Sequence, residues 1–438
     1  MRSRYLAVLA VSALTCVGAA ALVGTGSSIT HLAGAAAPSG SSGPVDRTST
    51  AGAIRAAQLR LDRVPADDRT WAQLGAAYVQ QGRITADPTF YPKAEGALAR
   101  SLRLRPEGNV DAYVGEGALA NARHEFAEAV RWGRRAASAD PYDAAALGVL
   151  TDAYTQLGRF DDADSALQRM LDLQPGLSSF SRASYAFEQR GDVPAARAAL
   201  TRALAEAVDP ADVAFCRYYL GQLDFTTGAP AAALEQYRLG LLAQPGAPML
   251  VAGRAAAAAA AGRTDEALRD YADVTARLPL PEYLLEYAQL LVSLGRDADA
   301  DALYVVLAGE QQLFAANGVQ DDLTAAVVEA DHGDPADAVR HARLEWDRRQ
   351  HPLVADALAW ALHRAGRDAE AREFADRAAG TGWRNAIFAY HRGMIEKSLG
   401  HDDSARRELT RALDINPYFS PTQAPVARRA LAELGGHP

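Results

Sequence analysis

The chain has 438 residues, 49% of them hydrophobic but only 7% aromatic, and a net charge of −9. Acidic and basic residues are interspersed, and without a basic footprint nucleic acid is excluded as the expected partner. Alanine dominates the apolar set, helix formers fill most segments, and runs of Val, Ile and Thr are scarce. That composition fits close helix–helix packing rather than a sheet or one large aromatic core.

At the N-terminus, Arg2 and Arg4 precede an apolar run from Tyr5 to Val23, the layout of an export signal. The run is about 19 residues, longer than most signal cores and close to a bilayer span. Residues 1–37 are therefore expected to be a signal peptide or a membrane anchor. As an anchor, the positive flank would keep the N-terminus in the cytoplasm and send the rest out. Cys16 follows Ala13-Leu14-Thr15, a poor lipobox, so lipidation is not expected. Residues 38–52 read as a flexible linker, with the run PSGSSGPVDRTST from Pro38 to Thr50. No later segment is long and apolar enough to span a membrane; the seven alanines Ala255 to Ala261 are too weakly hydrophobic. The exported part holds one cysteine, Cys216, so no internal disulfide is expected and the thiol should pack in a helix.

From residue 53 onward a fixed period runs through the chain. Pro106, Pro141, Pro175, Pro210, Pro245 and Pro279 recur at gaps of 35, 34, 35, 35 and 34 residues. Between Pro141 and Pro175, Leu147, Leu150, Thr151 and Tyr154 share one helix face. Gly158 and Arg159 make a turn, and Ala163, Leu167 and Met170 line a second helix. The small Ala163 lets the two helices approach closely, and proline suits the boundary because it lacks the N–H and fixes φ.

This pattern resembles the tetratricopeptide repeat, W-x2-L-G-x2-Y…A-x3-F…A…P over about 34 residues. The first unit carries Trp71, Leu74, Gly75, Tyr78, Ala94, Leu98, Ser101 and Pro106, with a seven-residue insertion within Gly82 to Pro92. Tyr113, Gly117, Ala129, Ala136 and Pro141 mark the second; Phe180, Phe187, Ala196, Leu200 and Ala203 the fourth. Leu220, Gly221, Ala233, Tyr237 and Pro245 mark the fifth, Ala267, Tyr271 and Pro279 the sixth, and Ala300 and Tyr304 the seventh. Gly333 with Ala338 and Gly366 with Ala371 mark an eighth and a ninth; Gly393, Gly400, Ala405, Leu409, Ala412 and Pro417 mark a tenth. YFSPTQAP then forms a link, and Val426 to Leu434 a capping helix. The resemblance implies an all-α fold: a right-handed superhelical solenoid of about ten helix–turn–helix repeats over residues 53–438. The turns fall near Gly158, Gly191, Gly228, Gly262, Gly295, Gly366 and Gly400. The least repeat-like stretch is Ala308 to Asp322.

Catalytic signatures are missing: there is no GxxxxGK[ST], HExxH, GxSxG or SxxK. Gly115 to Ala120 matches G-x-G-x-x-A but falls where a repeat's first helix belongs, without a preceding strand. Seven of the nine histidines follow residue 330 (His332, His341, His351, His363, His391, His401, His437), yet no pair stands at i, i+4, so solvated or capping roles are expected. Neither enzyme, cofactor nor metal site is expected. What remains is the concave groove lined by first helices, which nominates Asn121, Asp152, Tyr185, Tyr218, Gln222, Phe225, Trp360, His363, Tyr390, Met394 and Lys397 as partner-binding residues. Aromatics at such positions suit anchoring. Tyr185, Tyr218 and Phe225 are expected to form one cluster, and Trp360, Tyr390 and Met394 another. Lysine occurs only at Lys93 and Lys397, so the lysine-rich groove by which family members clamp C-terminal carboxylates is not expected. The expected function is a protein-interaction scaffold outside the cytoplasmic membrane that binds proteins or peptides. The alternative is an accessory subunit that binds a small ligand or metal for an envelope enzyme or transporter.

Overall fold

The computed structural model describes residues 49–435, and every regular element among them is an α-helix. A leading helix, α1 (Thr50–Arg63), precedes ten antiparallel pairs. The first five are α2 (Asp68–Thr85) with α3 (Phe90–Leu104), α4 (Val110–Ala122) with α5 (Phe126–Ala139), α6 (Ala144–Gln156) with α7 (Phe160–Leu173), α8 (Leu177–Gln189) with α9 (Val193–Glu206), and α10 (Pro210–Thr226) with α11 (Pro230–Ala243). The next five are α12 (Pro248–Ala260) with α13 (Thr264–Arg277), α14 (Pro281–Ser293) with α15 (Asp297–Ala316), α16 (Asp322–His332) with α17 (Pro335–Arg348), α18 (Pro352–Arg364) with α19 (Asp368–Ala379), and α20 (Ala386–Ser398) with α21 (Asp402–Ile415). The final helix is α22 (Gln423–Glu433).

Local chemistry sets the helix ends. Asp67, Asn109, Asp143, Asp192, Asp321, Asp334 and Asn385 accept a backbone N–H of the helix that follows each of them. Pro210, Pro230, Pro248, Pro281, Pro335 and Pro352 stand at the first helical position, where a missing N–H costs nothing. The seven expected turn glycines all adopt the left-handed conformation, with φ between 71° and 81°. In the first two pairs Ala86 (φ 51°) and His124 (φ 62°) do that work instead. At Gly191 the need is double, because a Cβ would also lie 2.5 Å from the Gly382 carbonyl oxygen.

Packing within a pair rests on small residues. Ala94, Ala129, Ala163, Ala196, Ala233, Ala267, Ala300, Ala338, Ala371 and Ala405, one early in each second helix, are all buried. Ala163 packs with Val149, Leu150, Ala153 and Tyr154. The facing first helix is small too. A Cβ on Gly221 would lie 2.4 Å from the Tyr237 ring, and one on Gly393 2.8 Å from Leu409. Ridges of one helix therefore sit deep in the other, at the density of a protein interior.

Several details depart from the sequence expectation. Pro106, Pro141, Pro175, Pro245 and Pro279 follow the last residue of a second helix, whereas Pro210 opens α10. The insertion lengthens α2 to Thr85, so Gly82 is helical. As expected, Gly115 to Ala120 lies inside α4, with no strand before it among the described residues. The capping helix begins at Gln423, because Pro425 fits a first turn. The first helix starts at Thr50, within the expected linker, because Ser49 caps it. The signal or anchor at 1–37, with its apolar run 5–23, most of the linker and His437 lie outside the described residues. No described helix is long and apolar enough to cross a membrane.

The described chain divides into two compact units. One comprises residues 49–182 together with Leu313–Gln320; the other comprises Ala183–Gln312 and residues 321–435. In the first, the segment that looked least repeat-like makes a distant contact. Phe314 and Val319 pack with Val79, Tyr91, Leu98 and Leu119, and the Gln320 carbonyl meets His124 Nδ1 at 3.0 Å across 196 residues. In the second, Asn416 Nδ2 donates to the Phe225 carbonyl at 3.0 Å across 191 residues.

Candidate functional site

Two of the polar residues nominated for the groove, Asn121 and Asp152, tie one pair of helices to the next. Asn121 Nδ2 donates to the Val149 carbonyl at 3.2 Å, joining α4 to α6. Asp152 of α6 accepts two bonds from Arg182 of α8, both at 2.8 Å, and each side chain is under 5% exposed. Gly148 leaves the room: a Cβ there would lie 3.3 Å from the Arg182 guanidinium. Trp360 of α18 donates its indole N–H to Asp331 of α16 at 2.9 Å, and Arg364 meets the same carboxylate at 3.3 Å. His391 of α20 places Nδ1 2.9 Å from Asp356 of α18.

Three nominations are thereby corrected. Asp152, Trp360 and Tyr390 are 3%, 1% and 0% exposed, so they hold the array together and present nothing to a partner. Their side chains point along the stack and reach the neighbouring first helix. Trp360 lies flat on His391 (centroids 4.1 Å, 16°) and tilts against Tyr390, which in turn packs on Phe419. Met394 packs into the same core and is half-buried. His363 is bonded to Asp368, and Lys397 to Glu433 of α22. Burial lowers the His363 imidazole pKa, with Asp368 opposing.

Tyr218, Gln222 and Phe225 are half-buried and stand at i, i+4 and i+7 on α10. Gln222 Nε2 donates to the Tyr218 hydroxyl at 3.0 Å, and Tyr237 Oη donates to Gln222 Oε1 at 2.6 Å. Tyr218 also meets Tyr219 edge-on at 5.0 Å. The hydrogen bonds hold Tyr218 and Gln222 in place, and Tyr218 and Phe225 both pack against the same apolar cluster. Tyr185 does not join them. It packs edge-on to Trp383, a residue that the sequence pattern did not single out.

The described C-terminal histidines each have at least one hydrogen-bond partner, although His391 Nε2 is buried without one. His332 meets the Tyr304 hydroxyl, His341 pairs with Asp322, and His401 pairs with Glu396. His351 caps α18 and contacts Gln189 at 2.8 Å. The capping role holds there, but His351 and His391 are fully buried rather than solvated. Among the described residues, no three His, Cys, Asp or Glu side chains converge as a metal set. Cys216 is buried within α10, and burial pushes its thiol up to about 12.

Beside Trp383, Glu188 has an altered proton affinity. Burial pushes its carboxyl up to about 7, while a hydrogen bond to the Trp383 side chain pulls the other way. Burial likewise raises Glu116 of α4 to about 7, with Glu95 adding repulsion. The folded chain keeps these protons where an unfolded carboxyl has lost them. Each carboxyl therefore weakens the fold progressively as pH rises from about 4.5 to about 7. Glu188→Gln is expected to be more stable than the parent at pH 7.5 and to flatten the decline between pH 5 and 7.5. Urea unfolding at both values measures this, and an unchanged pH slope would exclude it.

No protein-family model matches the sequence, and no curated protein matches it. Solved structures are similar at low identity. A tetratricopeptide repeat protein from Parabacteroides merdae is 19% identical over 59% of this chain and 99% of its own, with a TM-score of 0.37. The APC/C hetero-tetramer Cut9–Hcn1 is 14% identical over 92% and 79%, with a TM-score of 0.48. The TPR domain of P58(IPK) is 13% identical over 88% and 94%, with a TM-score of 0.27. The chain's own helix pairs, left-handed turns and buried alanine register carry the assignment: its fold is an array of tetratricopeptide-type repeats.

Proposed function

We propose that this chain is a protein-interaction scaffold presented outside the cytoplasmic membrane, which holds a peptide or helix of a partner protein against its first helices and performs no catalysis. The observation that carries this reading is the half-buried Tyr218–Gln222–Phe225 face of α10, in which hydrogen bonds hold Tyr218 and Gln222 in place and Phe225 packs beside them. Rigid aromatic anchors lose little entropy on binding and tend to dominate interface energy. The basic start and apolar run 5–23 support presentation outside the membrane.

The test uses intact cells and a membrane-impermeant cross-linker, followed by affinity capture and mass spectrometry. A cross-linked partner is expected without lysis; recovery only after lysis would reverse the location. The partner's affinity for the Tyr218→Ala/Phe225→Ala double variant should then fall roughly thirtyfold, equivalent to about 2 kcal/mol, with the helical signal intact. Full affinity in that folded variant would remove this face from the site.

A further inference from the structure

The last helix pair carries a surface of different chemistry. Arg406, Arg407 and Arg411 of α21 and Arg384, just before α20, line a cleft of about 460 Å³ with Thr410, Asp414 and Ile415. Four guanidiniums thus share a lining with one carboxylate, in a chain whose net charge is −9. Their neighbours leave charge to spare. Arg406 is held by Asp403 at 2.7 Å and by the Leu434 carbonyl. Arg411 approaches Glu408 only to 3.8 Å, and Arg407 donates to the Ser404 hydroxyl at 2.8 Å. Among the described residues neither Arg384 nor Arg407 has a carboxylate at ion-pair distance, and Arg384, Arg407 and Arg411 are all exposed.

The wall is fixed. Gly191 sits so close to Gly382 and Arg384 that a Cβ on it would lie 2.5 Å from the Gly382 oxygen and 3.2 Å from Arg384 Cγ. Arg407 and Arg411 stand one turn apart, about 6 Å along the helix axis. Alternate side chains of an extended peptide repeat on one side at about 6.6–6.8 Å. Guanidinium forks take carboxylates through paired N–H bonds. We infer that this cleft docks an extended acidic segment of a partner protein, with carboxylates at alternate positions seated on Arg407 and Arg411 and a further one on Arg384. The long-range repulsion of a chain at −9 disfavours a nucleic acid strand there, since a polyanion meets the whole field while a short segment meets only the cleft. No residue of α10 lines the cleft, although Asn416 next to Ile415 bonds the Phe225 carbonyl, and the inference stands whether or not the α10 face binds.

The experiment measures anisotropy of a labelled Asp-Ser-Asp-Ser-Asp-Ser peptide with the purified full chain at low salt. The parent should bind it, and Arg407→Glu/Arg411→Glu should weaken binding at least tenfold. Arg384→Glu, which lies outside any helix, should also weaken it and covers the case in which the double variant misfolds. Tyr218→Ala/Phe225→Ala should bind the peptide like the parent, which separates failure here from failure of the α10 face. No binding by the parent, or parental binding by folded Arg384→Glu or the double variant, overturns the inference. Displacement of the peptide by equimolar inorganic phosphate or a single-stranded oligonucleotide also overturns it, because the cleft would then be a phosphate site.

Discussion

Asp152→Ala is expected to cost about 3–5 kcal/mol, the usual penalty for removing one partner of a buried ion pair. Both side chains are nearly inaccessible, and Asp152 accepts two of Arg182's N–H bonds at 2.8 Å. Truncation leaves the buried guanidinium without this carboxylate, while its bonds to Ser178 on α8 persist. The figure measures an orphaned charge and not the worth of the pair, since a matched apolar pair is often neutral or stabilising. In a repeat array the damage should stay near α6 and α8, because each repeat contacts chiefly its neighbours. Urea unfolding followed by circular dichroism gives the size, and hydrogen exchange gives the place. A midpoint indistinguishable from the parent would show that Asp152 is open to solvent in solution.

Trp360→Ala should likewise cost about 3–5 kcal/mol through lost burial and the cavity left behind. The ring is 1% exposed and lies between His391 and Tyr390. Its indole N–H also donates to Asp331, which Arg364 meets at 3.3 Å, so truncation removes one of that buried carboxylate's donors. Trp360→Phe isolates that part: much of the ring stack survives, and the loss should fall to about 1–3 kcal/mol for an under-satisfied buried acceptor. The comparison decides what Trp360 is for. A buried tie loses stability in the alanine variant in proportion to the packing removed. An exposed anchor would leave unfolding untouched and weaken only partner binding.

Much of this protein was legible in its sequence. The proline period, the turn glycines and the recurring alanines specified helix pairs, their boundaries and the faces they bury. Such contacts join residues inside one repeat, and the spacing of small and large side chains on two adjacent helices determines them. The tertiary structure decided which first-helix side chains remain open. Asp152, Trp360 and Tyr390 occupy the same kind of position as Tyr218 and Phe225, yet they reach across to the next pair and disappear from the surface. That outcome depends on the rotation from one pair to the next, which no residue pattern within a repeat encodes. Contacts such as Gln320 with His124, Asn416 with Phe225 and Gly191 with Gly382 depend on many such rotations added together. The arginine cleft has the same origin: Arg384, packed beside Gly191, meets Arg407 and Arg411 in one lining only in the folded chain.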